Sequence, residues 1–246
     1  MALLIALAVL ALWEGLTRGG VLSALLFPAP TTVLRALGRL LRAGELTAGL
    51  VHTVSRLMAA FAVGSLSAAA LGLSMGWSSR LRSVVDPLVA AVHPVPKTAL
   101  FPVLIIVFGL GESSKVAVAA LAAFFPVLIN AMAGVRQISP IHFEVARNYR
   151  AGPLKVFRRV VLPGSMPMLL TGARLAFNSA LVVTIAVEMI AAHEGLGAMI
   201  WSAWETMRTE ELYAAIAVTA CIGVVFNFLL KSLTQRLVPW QVEQKI

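Results

Sequence analysis

Cysteine, aspartate and charge of either sign are scarce in this chain. Cys221 is the single cysteine of 246 residues, which excludes a disulfide framework and any CxxC or Cys/His metal site. It lies in an apolar run and reads as a small packing or lipid-facing residue. Asp86 is the single aspartate, His52, His93, His142 and His193 are scattered, and no HExxH occurs. Paired-aspartate, zinc-hydrolase and Ser–His chemistries therefore lack their parts, so no catalytic or metal-ligating set is assigned. The dipeptide Gly-Lys is absent, which excludes ATP binding through a P-loop. Only 13% of residues are charged, against about 25% in a soluble domain.

What is present in quantity is apolar. Hydrophobic residues make up 59% of the chain and the mean hydropathy is +0.90, the composition of a polytopic membrane protein. The net charge of +9 fits membrane topology better than nucleic acid, because basic residues collect on the cytoplasmic side. Six spans are expected, at about 2–17, 54–77, 97–110, 115–135, 165–190 and 213–232, each near the length that crosses the hydrocarbon core. The fold class is all-α: a bundle of about six transmembrane helices in one domain, 1–246, with its core at about 50–235. Residues 1–17 have a second reading as a signal peptide, but they lack a basic n-region and a clear cleavage site.

Orientation follows from Lys and Arg. If the 136–164 loop is cytoplasmic, twelve basic residues lie inside: Arg80, Arg82, Lys97, Arg136, Arg147, Arg150, Lys155, Arg158, Arg159, Lys231, Arg236 and Lys245. Six lie outside: Arg18, Arg35, Arg39, Arg42, Lys115 and Arg208. Arg56 and Arg174 fall within spans. The bias places both termini inside. Arg35, Arg39 and Arg42 are spaced to share one face of an amphipathic helix in the outer interface, in contact with lipid.

Gly64, Ala68, Gly72 and Gly76 repeat every four residues in the second span, and Gly172, Ala176, Ala180 and Thr184 do so in the fifth. Such stripes let another helix backbone approach closely. Packing within the chain and a homodimer seam both satisfy them. Pro87, Pro94, Pro96 and Pro102 crowd the third span, each removing a backbone donor. HPVPKTALFP is therefore an irregular entry to that span. Freed backbone groups must face protein or a water-filled cavity, so a structural kink and a translocation-path lining are both open.

The stretch Glu144–Pro163, EVARNYRAGPLKVFRRVVLP, is a basic, helix-forming island between apolar spans. Ser139-Pro140 supplies an N-cap and a proline at the first helical position. Gly152-Pro153 then bends the chain into a second short helix, PLKVFRRVV, ended by Leu162-Pro163. Arg147, Arg150, Lys155, Arg158 and Arg159 face one acid, Glu144. Phe143, Val156 and Phe157 add apolar surface that a plain positive-inside loop does not need. The grammar is that of a docking platform.

This stretch resembles the cytoplasmic EAA loop of binding-protein-dependent ABC importer permeases. Glu144 and Ala146 stand at the first and third motif positions with Val145 at the second, and Leu162 and Pro163 fall at the expected distance. The motif glycine is replaced by Arg150, and Gly152 is expected to take over the bend. LWEGL with FPAPTTVLRAL, HPVPKTALFPVLIIVFGLGESSK, AFFPVLINAMAGVRQISP, VEMIAAHEGLGAMI and LVPWQ also resemble the nitrate, sulfonate and taurine subgroup, in order along the chain.

The resemblance implies a type I (MetI-like) permease of the bacterial inner membrane. It implies a second permease subunit, most simply in a homodimer, two ABC ATPase subunits and an extracytoplasmic substrate-binding protein. ATP and Mg belong to the ATPase; the permease binds no cofactor. Glu144, Ala146, Arg147, Arg150, Gly152, Pro153, Leu162 and Pro163 then form the ATPase-coupling loop, with Phe143, Val156 and Phe157 as its buried anchor. Polar residues within spans are costly and are path candidates: His93, Asn130, Arg174, Asn178 and Glu188, although Glu188 near the outer end reads first as a structural hydrogen bond and Arg174 first as a side chain snorkelling to the inner surface. Of these, His93, Arg174 and Asn178 would contact a small anion. The alternative is an ion-coupled secondary transporter or channel. It requires coupled carboxylates or an inverted repeat, whereas only Glu14 and Glu188 fall within spans.

Overall fold

The computed structural model describes residues 2–239, which are mostly helical with no strand among them. They form two compact units: the described residues up to Ser55 together with Ile185–Ile222, and Arg56–Thr184 together with the described residues from Gly223 onward.

The first unit contains α1 (Ala2–Arg18) and α2 (Pro30–Arg42). It also holds the opening of α3 (Glu45–Trp77), the last turns of α9 (Leu162–Ala191), all of α10 (Leu196–Glu205) and the opening of α11 (Thr209–Leu237). Pro30 starts α2, where a missing N–H costs nothing. Val33, Ala36 and Leu40 of α2 are buried while Arg35, Arg39 and Arg42 are exposed, as the spacing predicts. Val33 and Leu40 join Leu46, Leu196 and Ala214 in one apolar cluster. Glu14, expected inside a span, accepts the Thr31 backbone N–H at 3.0 Å and its hydroxyl at 2.8 Å. It thereby satisfies an orphan donor in the first turn of α2.

The second unit is organised around α6 (Glu112–Arg136). The small-residue stripe of α3 lies against it. A Cβ at Gly72 would stand 2.5 Å from the Leu128 carbonyl oxygen, one at Gly76 would meet Val135 at 2.6 Å, and one at Gly64 would overlap the Ala120 carbonyl. The α9 stripe packs on α6 as well, with Gly172 against Asn130, Pro126 and Val127. At these glycines both stripes serve packing within the chain. Arg56, expected inside a span, is buried and forms a two-pronged pair with Glu112 at 2.7 and 2.8 Å, the geometry that lets a guanidinium persist away from water. Phe61, Phe177 and Phe226 pack together, the last two stacked at 3.4 Å.

Among the described residues, four helical segments are long and apolar enough to cross a membrane: α3, α6, Pro153–Ala191 and α11. A fifth span results if α4 (Ser79–Val92) and the segment Lys97–Phe108 are counted together, bent by 92°. That segment is a 3-10 turn, Lys97–Leu100, followed by α5 (Phe101–Phe108). The expected third span is thus a broken pair rather than one helix, because Pro94 and Pro96 withhold donors where α4 would continue. The 17-residue α1 is not among the crossing segments.

Candidate functional site

The segment after α6 consists of α7 (Pro140–Asn148) and α8 (Pro153–Val156), joined by a tight turn. Pro140 occupies the first helical position, but the Ser139 side chain makes no capping bond. The end of α7 is a Schellman motif. The Arg150 N–H donates to the Arg147 carbonyl and the Ala151 N–H to the Ala146 carbonyl, each at 2.9 Å. This pairing requires a left-handed residue after the cap, and Arg150 is that residue, with φ +48°. Gly152 sits at φ −67° in extended backbone as the cap of α8. The expectation that Gly152 takes over the bend is therefore corrected: Arg150 adopts the conformation for which the motif uses glycine.

The second helix also does not end at Leu162-Pro163. α8 passes through a π-turn, Phe157–Val161, into α9, giving one helical run from Pro153 to Ala191. Within it the Leu162 N–H bonds the Phe157 carbonyl, five residues back. This wider turn shifts the ladder just before Pro163, which lacks a donor, so the helix continues.

The apolar residues of the segment divide into two sets. Phe143, Val156 and Phe157 pack on Leu73, Ala131, Val135 and Val161, and Phe157 stacks on Trp77 with ring centroids 5.7 Å apart. They fasten the segment to its own helices and are not available as an anchor for a partner. Ile141, Val145 and Tyr149 point outward, 59%, 49% and 82% exposed, with Leu154 at 64%. Their i, i+4, i+8 spacing puts the first three on one face of α7. Sequence reasoning missed this stripe; its signal was the same four-residue period already used for the glycines. Glu144, Arg147, Arg150, Gly152 and Pro153 are exposed, Ala146, Leu162 and Pro163 partly buried.

The residues expected along a path do not come together as one set. Glu188 is fully buried in the first unit. It accepts the Thr53 hydroxyl at 2.8 Å and the Gly197 N–H at 2.9 Å, while the Leu196 N–H donates to Thr53 Oγ1 at 2.8 Å. The carboxylate thus caps the N-terminus of α10, where unpaired N–H groups and the helix dipole favour negative charge. Gly195 has φ +124°, and a Cβ there would sit 2.6 Å from the Glu188 carboxylate. Glu188 is a latch on the Gly195-Leu196-Gly197 turn, the structural hydrogen-bonding role that its position near the end of the span favours. Asn130 donates to the Pro126 carbonyl of its own helix at 2.8 Å, and Arg174 is exposed.

His93 and Asn178 do meet. In the second unit they line a cavity of about 610 Å³ with Lys97, Phe125, Ser179 and Val182 among its walls. The Asn178 carbonyl oxygen accepts from Asn227 at 3.2 Å. The His93 ring lies 5.2 Å from that of Phe125. Lys97, counted by sequence only for its charge, is on the wall because the HPVPK turn folds it back. The cavity combines one ammonium, an imidazole and an amide with apolar sides, a lining suited to a small polar or anionic solute.

Long apolar helices, a helix pair broken beside a largely apolar cavity that also holds Lys97 and His93, and an exposed basic helix–turn–helix define a polytopic membrane transport protein. Residues 60–242 match the family described as binding-protein-dependent transport system inner membrane component, and the chain belongs to that family. Its fold is accordingly that of the type I, MetI-like permeases. The chain is similar to the taurine transport system permease protein TauC of Escherichia coli (strain K12), 35% identical over 95% of this chain and 87% of that one. It is also similar to the putative aliphatic sulfonates transport permease protein SsuC of Bacillus subtilis (strain 168), at 31% over 97% and 87%. A third relative is the nitrate import permease protein NrtB of Leptolyngbya laminosa, at 29% over 78% and 70%.

Proposed function

We propose that this chain is the membrane subunit of an ATP-driven importer, forming the path for a small anion and taking its energy from a separate ATPase docked on α7. The observation that carries the reading is the outward stripe Ile141–Val145–Tyr149, held on a segment whose Phe143, Val156 and Phe157 pack on the chain's own core. A plain loop gains nothing from exposing three large apolar side chains on one face. Beside them Glu144, Arg147, Arg150, Lys155, Arg158 and Arg159 supply charge for steering and register. The apolar stripe fills the partner's groove, in the manner of an amphipathic helix in a groove.

In this reading α7 and its turn lie in the cytoplasm with both chain termini, and the protein sits in the bacterial inner membrane. Two copies pair, two ATPase subunits bind ATP and Mg, and an extracytoplasmic binding protein delivers the solute. Closure of the ATPase pair moves α7 as a rigid lever, and the continuous helix Pro153–Ala191 carries that motion into the bundle. The cavity at the α4–α5 break lies on the path. The solute is a sulfonate, taurine, nitrate or similar small anion, in keeping with the relatives' names and with Lys97, His93 and Asn178 in the lining of that cavity.

The test is co-expression with candidate ABC ATPases from the source genome, comparing wild type with Glu144→Lys and Val145→Arg, with and without a candidate binding protein. The reading expects a stable complex whose stimulated ATPase activity falls at least about tenfold in either variant, as for loss of an interface hot spot. A chain that purifies without ATPase and transports by ion exchange in liposomes overturns it in favour of a secondary transporter.

A further inference from the structure

The ammonium of Lys97 has three donors, and each has an acceptor in the backbone. It reaches the carbonyl of Val92 at 3.2 Å, of His93 at 2.7 Å and of Val95 at 2.7 Å. These are carbonyls at and just past the C-terminal end of α4, where a helix leaves acceptors unpaired and negative potential accumulates. Pro96 has no N–H to reach the Val92 carbonyl four residues back, and the Val95 N–H bonds that carbonyl at 3.2 Å. Lys97 therefore substitutes for the missing continuation of the helix and holds the 92° break between α4 and the segment that leads into α5. The same ammonium lies 4.4 Å from the centroid of the Phe125 ring, and the same side chain lines the 610 Å³ cavity with His93 and Asn178.

This produces a conflict that a ligand can exploit. Lysine has three donors and no more. An anionic oxygen entering the cavity gains a charge-assisted bond from Lys97 only by taking it from a carbonyl of the 92–95 turn. At His93 or Val95 the carbonyl then loses the short ammonium contact that fixes the bend, whereas the Val92 carbonyl keeps the Val95 N–H. An uncharged solute of the same shape offers a weaker acceptor and leaves the three-carbonyl arrangement in place.

We propose that Lys97 is a positioning residue whose ammonium clamps the α4–α5 break until a small anion in the cavity draws it off the carbonyls, so that occupancy is converted into a change of helix geometry. The inference deepens the importer reading and rests on it for the cavity's place on the path. The clamp is an element with two arrangements, and the anion binds one of them better, which is what a ligand-driven shift requires. Arginine at 97 keeps the charge, but its planar fork does not reproduce a compact three-way contact.

The experiment uses the full chain with its ATPase in lipid nanodiscs, with Cys221 replaced by serine and spin labels at the exposed positions Val84 and Ile106, one on each side of the break. Distance distributions are recorded for wild type, Lys97→Gln and Lys97→Arg. Methanesulfonate is the anionic probe and dimethyl sulfone the uncharged control. The proposal expects methanesulfonate, and not dimethyl sulfone, to shift the wild-type distribution. Lys97→Gln is expected to be shifted already without anion and to show no further shift when methanesulfonate is added, because the clamp the anion would release is gone. Lys97→Arg is expected to restore the anion response only in part. A wild-type distribution indifferent to methanesulfonate overturns the proposal, and leaves Lys97 a structural cap if Lys97→Gln is still displaced. A Lys97→Gln distribution identical to wild type overturns it as well. Complex formation with the ATPase is read on the same samples, so failure of the importer reading registers separately as loss of the complex.

Discussion

Helices α6 and α11 carry nearly the same mean hydropathy over their most apolar 18 residues, 2.2 and 2.1, yet 50% of that stretch is buried in α6 and 11% in α11. Their use differs because of residue size. α6 offers Ala119, Ala120, Ala122, Ala123, Ala131 and Gly134 as buried positions, so the glycines of α3 and α9 can bring backbone against backbone. α11 presents Ile216, Val224, Val225, Phe228 and Leu229 as exposed side chains. In lipid, where apolarity alone does not drive helices together, close packing does. Hydropathy marks both helices as membrane segments; the spacing of small residues marks the one that is packed around.

The comparison is broken most severely at the seam. Gly72→Leu forces a side chain into the Leu128 carbonyl, and α6 has no space to retreat. We expect a loss of at least about 3 kcal/mol, the upper range of overpacking, read as lost monodispersity and a large fall in thermal midpoint in detergent. Next is the latch on α10. Glu188→Ala removes the acceptor of Thr53 and Gly197 and should destabilise by about 2–3 kcal/mol, with Glu188→Gln recovering part of it. Protease nicking of the 192–197 turn reports the local opening.

Smaller effects sharpen the contrast from the other side. Arg150→Gly places the permissive residue at the left-handed position of the α7 turn and should stabilise by roughly 0.5–1 kcal/mol, seen as a small rise in midpoint. Arg150→Val should act in the opposite direction. Val225→Leu on the exposed face of α11 should change stability by no more than about 0.5 kcal/mol. A large effect there would show that α11 packs as α6 does.

Much of this was legible in the sequence because membrane helices announce themselves through long apolar runs and proline punctuation. The broken entry at Pro94 and Pro96, the basic face of α2 and the helix–turn–helix after α6 follow from such signals. Three features did not. Arg150 in a left-handed turn runs against the propensity rule that assigns such positions to glycine; the hydrogen bonds of the Schellman motif outweigh that preference. The inward packing of Phe143 and Phe157, and the outward aim of Val145 and Tyr149, depend on where α6 and Trp77 lie. For Glu188 the sequence favours a structural hydrogen bond over a gating role but does not name its partners. Its partners, Thr53 and the Gly195–Gly197 turn, are remote in sequence from one another, and no local pattern joins them.

The central claim is that α7 presents an apolar stripe to an energy-supplying partner. Its most direct test is a pull-down of the ATPase by wild type and by Val145→Arg, with the thermal midpoint of each permease measured alone. The account predicts matched midpoints, because Val145 is exposed, and loss of the ATPase from the variant. Retention of the ATPase by a well-folded Val145→Arg chain would contradict it.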